Sequence, residues 1–476
     1  MLRAHNPVFW RAVLVAAAVS LLAPDARAQA CESTRPTDTE GAAGVSYGAA
    51  EASFFDAASG RARVHFALSG AHAVPASSTL QADVPDAVVV AAQAADDALD
   101  EYERLGYRAP LGDADSPCAS NGDSDAVDIY LVNFSAADGQ AVLDHCQAGT
   151  PKRCAGFVMV ENDFRKGGYA DTAEGLRTVV PHELFHLVQN AYDADVERWW
   201  AEGSAQWAAK QVYPDLLDLE RFLPNYFATP WRPLNQPPNG VITNFLYATA
   251  IWPVFLAERF DADAVRGVYE EPSPDNANVL SATDRVLQAR GSSLAAEFLQ
   301  FAAFNAATGS RAPDTGGYPN AASYPEVPLT PLTGATGDLV SDVGSGLGAF
   351  YYSLQADAPS ELSLQADPTR MAALLLPLVD GKPQVAEAKP LPATLVGAGV
   401  VVVAGQSLSR TDAPFTLQGA APAAPSGPDE ASAPDSSGCS LRGFPDKHGG
   451  FGGAGLGFVI ILMGRCRART RPRKGR

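Results

Sequence analysis

Apolar and polar residues alternate over 61–68, with Val64, Phe66 and Leu68 set against Arg63 and His65, and this period of two predicts a strand. Over 86–105 the period changes. Val88, Val89, Ala92 and Leu99 recur at three- and four-residue spacing opposite an acidic face, with Pro85 near the start, which predicts a helix. Two apolar runs, 127–134 (VDIYLVNF) and 155–160 (AGFVMV), predict mostly buried strands. Helical patterning returns over 178–210, over 243–260, and over 281–307 as one or two helices. Beyond Pro325, short apolar stretches (349–354, 362–365, 371–378 and 395–403) separated by turn residues predict a small β-sandwich. The expected class is therefore α+β, with a mixed domain over 61–310 and a small β domain over 325–418. Residues 29–60, rich in Ala, Gly, Ser and Thr, read as a loose leader. Residues 419–448 open with a Pro/Ala/Ser run that cannot build a core and read as a linker. No internal repeat is present.

The two ends change the charge picture. Residues 1–28 read as a signal peptide: Arg3 and Arg11 flank the start, an apolar run follows, and Ala26-Arg27-Ala28 offers a small-x-small cleavage site. A competing lipoprotein reading would acylate Cys31, but the residue three before it is alanine rather than leucine. Residues 449–476 combine an apolar, glycine-rich run with Arg465, Arg467, Arg469, Arg471, Arg473, Lys474 and Arg476, a membrane or sorting segment whose basic end would stay inside. The full chain carries −19. Without three basic residues and Asp25 of the signal and the seven basic residues of the tail, 25 Lys+Arg face 53 Asp+Glu, a net of −28. A body this acidic repels phosphates, so nucleic acid is excluded as a partner. Secreted or cell-surface placement follows from the two ends, and the expected state is a monomer.

Of six cysteines, Cys439 and Cys466 lie near or in the tail, leaving Cys31, Cys118, Cys146 and Cys154 for the exported body. Four cysteines in an exported chain suggest two disulfides with three possible pairings, of which Cys146 with Cys154, closing a short loop, is preferred. The acidic loop 112–128 (Asp113, Asp115, Asn121, Asp123, Asp125, Asp128) raises Ca2+ as a possibility, but its spacing is not that of an EF-hand and a solvated acidic loop is favoured.

The chemistry concentrates in His182-Glu183-Leu184-Phe185-His186. Two histidines four apart on a helix project from one face, one turn apart, so both can reach one metal ion. Glu183 adjoins the first ligand and can serve as general base toward a water held by the metal. Chance produces such a pattern in roughly one chain in 200 of this composition, so coincidence is a weak explanation. The competing account is a packed helix face, and Leu184, Phe185, Leu187 and Val188 do supply one. A second segment, Trp199-Trp200-Ala201-Glu202-Gly203-Ser204-Ala205-Gln206-Trp207, begins a helix after a gap long enough for a turn. Glu202 then supplies a third ligand and leaves a fourth position open, the arrangement of catalytic zinc. Gly203 and Ala205 would let the two helices approach closely.

Together these segments resemble the gluzincin metallopeptidases, in which an H-E-x-x-H helix is followed by a helix bearing E-G-x-A. The likeness is closest to bacterial secreted metalloproteases with H-E-x-F-H-x-x-Q (182–189) and W-x-x-E-G-[ST]-A-x-W (199–207). It extends over about 61–309, including VDIYLVNF, VENDF (160–164) and FAAFNAATG (301–309). The resemblance implies a zincin-like domain and a zinc peptidase with His182, His186 and Glu202 as metal ligands and Glu183 as base. It also nominates Tyr247, in YATAIWPVFL (247–256), as donor to a developing oxyanion. The end of the chain, with Gly438-Cys439 ahead of the apolar run and Arg cluster, resembles the MYXO-CTERM sorting tail of myxobacterial surface proteins, which implies contact with sorting machinery. The spacing leaves two expectations for Pro181: a first-turn position if Thr178 caps the helix, or a kink if the helix starts near Thr172.

The expected activity is hydrolysis of peptide bonds in peptide or protein substrates, as an endopeptidase. The strand ending in Met159-Val160-Glu161-Asn162 is the expected cleft wall, to which an extended peptide could add. That stretch resembles the aminopeptidase G-x-M-E-N element, but is one residue out of register. Two alternatives stand beside this reading: a non-catalytic metal-binding surface protein, and a zinc hydrolase of a non-peptide amide or ester.

Overall fold

The computed structural model describes residues 34–422 except 40, 115–119, 135–136, 167, 239–243 and 272–277. The signal, the linker from residue 423 onward and the basic tail lie outside the described residues, as do Cys31, Cys118, Cys439 and Cys466; residues 419–420 of the expected linker end β13. Among the described residues no helix is long and apolar enough to cross a membrane.

The chain is α+β, with two sheets and several helices. The first sheet contains β1 (Ala52–Asp56), β2 (Ala62–Ala67), β3 (Val127–Val132), β4 (Gly139–Cys146) and β5 (Cys154–Glu161), in the order β1-β2-β3-β5-β4. Strands β2, β3 and β5 run parallel, while β1 and β4 close the two edges antiparallel. Helix α1 (Asp86–Arg104) carries the crossover from β2 to β3, the connection that parallel neighbours require. Asp86 in its first turn accepts from the backbone N–H groups of Thr79 and Leu80 at 2.7 Å, satisfying donors at the helix entry. One sheet face (Val64, Phe66, Ile129, Leu131, Val158, Val160) packs under α1 and α2 (Thr172–Asn190). The expected strands over 61–68, 127–134 and 155–160 and the helix over 86–105 all form, within two residues at each end. Strand β4 was not expected: its residues are mostly half-buried, and its sequence (GQAVLDHC) lacks a clean alternation. The preferred disulfide is present, Cys146–Cys154, across paired positions of β4 and β5.

The expectation of a loose leader fails for the described residues from 34 onward. Ala42 and Tyr47 pack with Tyr130, Val132, Phe157 and Met159 on the second sheet face, which would otherwise meet water. Arg35 is fully buried and bonds to Asp113, to Asp128 (2.7 Å) and to Asp144 (3.0 Å). Asp113 and Asp128 are thus buried partners of an arginine rather than members of a solvated loop.

Helices α3 (Arg198–Val212), α4 (Asp218–Phe222), α5 (Pro224–Phe227), α6 (Asn244–Ala248), α7 (Ile251–Arg259), α8 (Ala262–Glu270), α9 (Val279–Ala289) and α10 (Leu294–Ala306) follow. The helix expected over 243–260 is two. Pro253 has no N–H to offer Thr249 and its ring crowds that carbonyl, so the chain breaks at Thr249-Ala250 and restarts.

The second sheet contains β6 (Thr330–Pro331), β7 (Gly337–Gly344), β8 (Ala349–Ala366), β9 (Met371–Val379), β10 (Lys382–Pro383), β11 (Lys389–Pro390), β12 (Ala393–Gly405) and β13 (Ala413–Ala420). The predicted sandwich is instead one hydrogen-bonded path, β10-β9-β12-β8-β13-β7, with β6 and β11 attached. The separate strands expected at 349–354 and 362–365 are one 18-residue strand, which pairs with β12 along its length and with β13 over its second half. One face (Leu374, Leu376, Val400, Val402, Ala404) joins the main core beside Phe298 and Phe301 of α10. The other face (Tyr352, Leu354, Leu375, Val401, Val403, Phe415, Leu417) buries its side chains against one another.

Candidate metal centre

Helix α2 starts at Thr172, where the Asp171 side chain accepts from Glu174 N at 2.8 Å. Thr178 is therefore inside the helix and not its cap; its hydroxyl donates to the Glu174 carbonyl at 2.8 Å. Pro181 sits mid-helix, where it removes one backbone donor. Its own carbonyl accepts from Tyr102 of α1 at 2.7 Å, which ties α1 to the turn carrying the two histidines.

The helical repeat places His182 and His186 on one face, with ring centroids 4.9 Å apart and planes at 83°. Helix α3 packs against α2 and presents Glu202 between them: its Oε2 lies 3.3 Å from His182 Nε2 and 3.5 Å from His186 Nε2. One ligand atom from each of the three residues lies within 4.8 Å of the others, and among the described residues this is the one such group able to hold a metal ion. Two imidazole nitrogens and one carboxylate suit a borderline-soft divalent ion with an open coordination position.

The electrostatics agree with a cation site. Burial opposes ionisation of Glu202, but hydrogen bonds and charge from both histidines outweigh it and hold its carboxyl well below the usual range. Burial would likewise lower His186, yet Glu202 and the Glu183 charge push it up to about 9. Two carboxylates, Glu183 buried and Glu202 half-buried, beside two imidazoles thus favour positive charge at this point.

Glu183 is buried, and burial pushes its carboxyl above the ordinary value against the pull of His186 and His182. It accepts a hydrogen bond from the backbone of Ala141 on β4. Gly139 on the same strand has no side chain because none fits: a Cβ there would lie 2.5 Å from Val179 Cγ1 and 2.7 Å from Glu183 Cγ and Oε1. The edge strand therefore runs directly over the candidate base. Strand β5, the expected cleft wall, is enclosed between β3 and β4, so the sheet edge beside Glu183 is β4. Glu161 and Asn162 serve locally, accepting from Phe134 N at 2.6 Å and donating to Ala73 O at 2.8 Å.

Tyr247 is brought to the site on α6. Its ring centroid lies 5.7 Å from that of His182, and it stacks on Phe222 at 4.7 Å. Burial and the charges of Glu202 and Glu183 raise its pKa, so its hydroxyl keeps its proton and can donate. Gly203 plays a different part from the one expected. A Cβ on it would meet Thr249 Oγ1 at 2.5 Å and Ala250 N at 3.1 Å, so its smallness admits the break between α6 and α7, not α2.

Sequence reasoning assigned no role to Gln189, three residues after His186. Its Oε1 lies 2.9 Å from His186 Nδ1, and its Nε2 donates to Ala201 O at 2.8 Å. The i,i+3 spacing from a ligand histidine was the available signal. Gly139 and Ala141 carried no signal, since nothing local links β4 to α2. No protein-family model matches the chain, and no curated protein matches it in sequence.

Proposed function

We propose that this chain is a secreted or surface-displayed zinc peptidase with a zincin-like catalytic domain, acting as an endopeptidase on peptide or protein substrates. The observation carrying the reading is the convergence of His182, His186 and Glu202 on one point, with Glu183 adjoining it under an edge strand. His182, His186 and Glu202 would hold the metal, and zinc bound there supplies Lewis acidity that polarises a carbonyl and acidifies water.

The residues supply the rest. Antiparallel β4 has no further strand on its outer side among the described residues, so an extended substrate can pair along it and lie across the site. Glu183, raised by burial and held by Ala141, takes a proton from the attacking water as the water oxygen bonds to the carbonyl carbon. As the C–N bond breaks, Glu183 returns that proton to the leaving amine. The protonated Tyr247 hydroxyl donates to the oxygen on which negative charge develops.

The test is digestion of an unstructured protein, with and without chelator, by the wild type and by Glu183→Gln. The expected result is chelator-sensitive cleavage that falls roughly 10² to 10⁴-fold in the variant while zinc content stays the same. Equal cleavage by both proteins sinks the assignment. Cleavage confined to small esters would favour the non-peptide hydrolase, and zinc without hydrolysis the non-catalytic surface protein.

A further inference from the structure

The hydrogen bonds behind His186 have a single consistent direction. Carbonyl oxygens can only accept, so the 2.8 Å contact with Ala201 O fixes Gln189 Nε2 on that side and turns Oε1 toward His186. Oε1 can only accept as well, so His186 Nδ1 carries the donated proton, and in the neutral ring that binds a metal Nε2, on the Glu202 side, is the nitrogen with the lone pair. Gln189 Nε2 also reaches Ser204 Oγ at 3.2 Å. The Ser204 hydroxyl donates back to Trp200 O, 2.6 Å away, which leaves Ser204 Oγ as acceptor from Gln189 and from the Tyr269 hydroxyl at 2.6 Å. Tyr269, on α8, is wedged among the rings of Trp200 (5.9 Å), Tyr192 (5.6 Å), Phe185 and Tyr107 (both 6.3 Å), so its hydroxyl has little freedom to turn away.

We infer that Gln189, Ser204 and Tyr269 form a positioning relay for the metal centre, in which Gln189, oriented by Ala201 O and supported by the Ser204–Tyr269 pair, sets the tautomer and ring orientation of His186. The inference rests on the metal-site reading above. Two features separate the relay from ordinary packing. Gln189 joins a candidate ligand of α2 to the carbonyl of Ala201, the residue before the candidate ligand Glu202, so one amide registers two ligands against each other. Its donor is shared with Ser204, whose own proton is directed to Trp200 O at 2.6 Å, so the 2.6 Å contact with Tyr269 is best met by the tyrosine hydroxyl as donor. Partners of this kind fix ligand orientation and commonly carry 10–100-fold in metal affinity.

The test measures zinc affinity of the metal-free full chain by competition with a chromophoric chelator, together with the His186 Nδ1–H resonance in 15N-edited NMR of the zinc-loaded protein. Gln189→Met is expected to weaken zinc binding 10–100-fold and to lose the slowly exchanging Nδ1–H. Tyr269→Phe, which keeps the ring packing and removes only the donor, is expected to weaken binding several-fold and to speed exchange of that proton. A wild type without zinc affinity would overturn the metal reading and the relay with it. Wild-type affinity with unchanged values in both Gln189→Met and Tyr269→Phe overturns the relay alone, whatever either change does to thermal stability.

Discussion

Arg35→Met would remove a guanidinium from a buried cluster that joins the first described residues to the first sheet. In the native protein the guanidinium bonds to Asp113, to Asp128 at 2.7 Å and to Asp144 at 3.0 Å, and lies 4.8 Å over the Phe157 ring. The second oxygen of Asp128 is 2.8 Å from His65 Nε2. Three carboxylates contact this one arginine. Burial pushes Asp113 up to about 6 despite Arg35, and raises Asp144 in the same way. For Asp113 a rise of that size corresponds to about 3 kcal/mol of differential interaction between its charged and neutral forms. Removing one partner of a buried ion pair costs about 3–5 kcal/mol, a large share of the roughly 5–15 kcal/mol that holds a domain folded.

The pH dependence gives the sign. A carboxylate whose folded pKa exceeds its unfolded value binds more protons when folded, so its contribution to stability grows as pH falls through the folded value and is lost as pH rises through it. Without Arg35 the Asp113 and Asp144 values rise further. The deficit of the variant is therefore largest near pH 8 and shrinks toward pH 5. Urea unfolding of wild type and variant at pH 8, 6.5 and 5 measures this directly, and Asp113→Asn added to the variant should recover part of the loss at pH 8. A deficit under about 1 kcal/mol at pH 8, or one that widens on acidification, would mean that Arg35 does not hold this cluster together.

Three further outcomes are expected. Gly139→Ala should press on Glu183 and Val179, cutting hydrolysis about 10–100-fold while zinc content is unchanged, since misplacing a catalytic group by about 1 Å is that costly; full activity would mean that β4 does not govern the base. Tyr247→Phe should lower kcat by about 10²-fold or more with little change in KM, and an unaltered kcat would remove Tyr247 from the mechanism. Because His186 binds metal only when neutral and sits at about 9 in the metal-free protein, apparent zinc affinity should climb about tenfold per pH unit between pH 7 and 9; a flat profile over that range would contradict the pairing of His186 with Glu202.

Features written at short range were legible in the sequence. The period of two over 61–68 and the apolar runs at 127–134 and 155–160 become β2, β3 and β5, because side-chain alternation and burial are local properties of a strand. His182, Glu183 and His186 share a helical face because 3.6 residues per turn leaves no other result, and Cys146 and Cys154 were near enough in the chain to suggest their bond. Tertiary structure decided whatever depends on which distant segments meet. Arg35 lies in a segment of small and polar residues and shows its role only when Asp113, Asp128 and Asp144 are folded around it. Gly139 is a glycine like many others until α2 brings Glu183 beneath it. Gly203 looked like a contact for α2 and proved to admit Thr249, 46 positions away. A residue's periodicity is set by its neighbours in sequence, but the partner of a buried charge or the clearance over a carboxylate is set by chain closure across tens of residues, which no local pattern encodes.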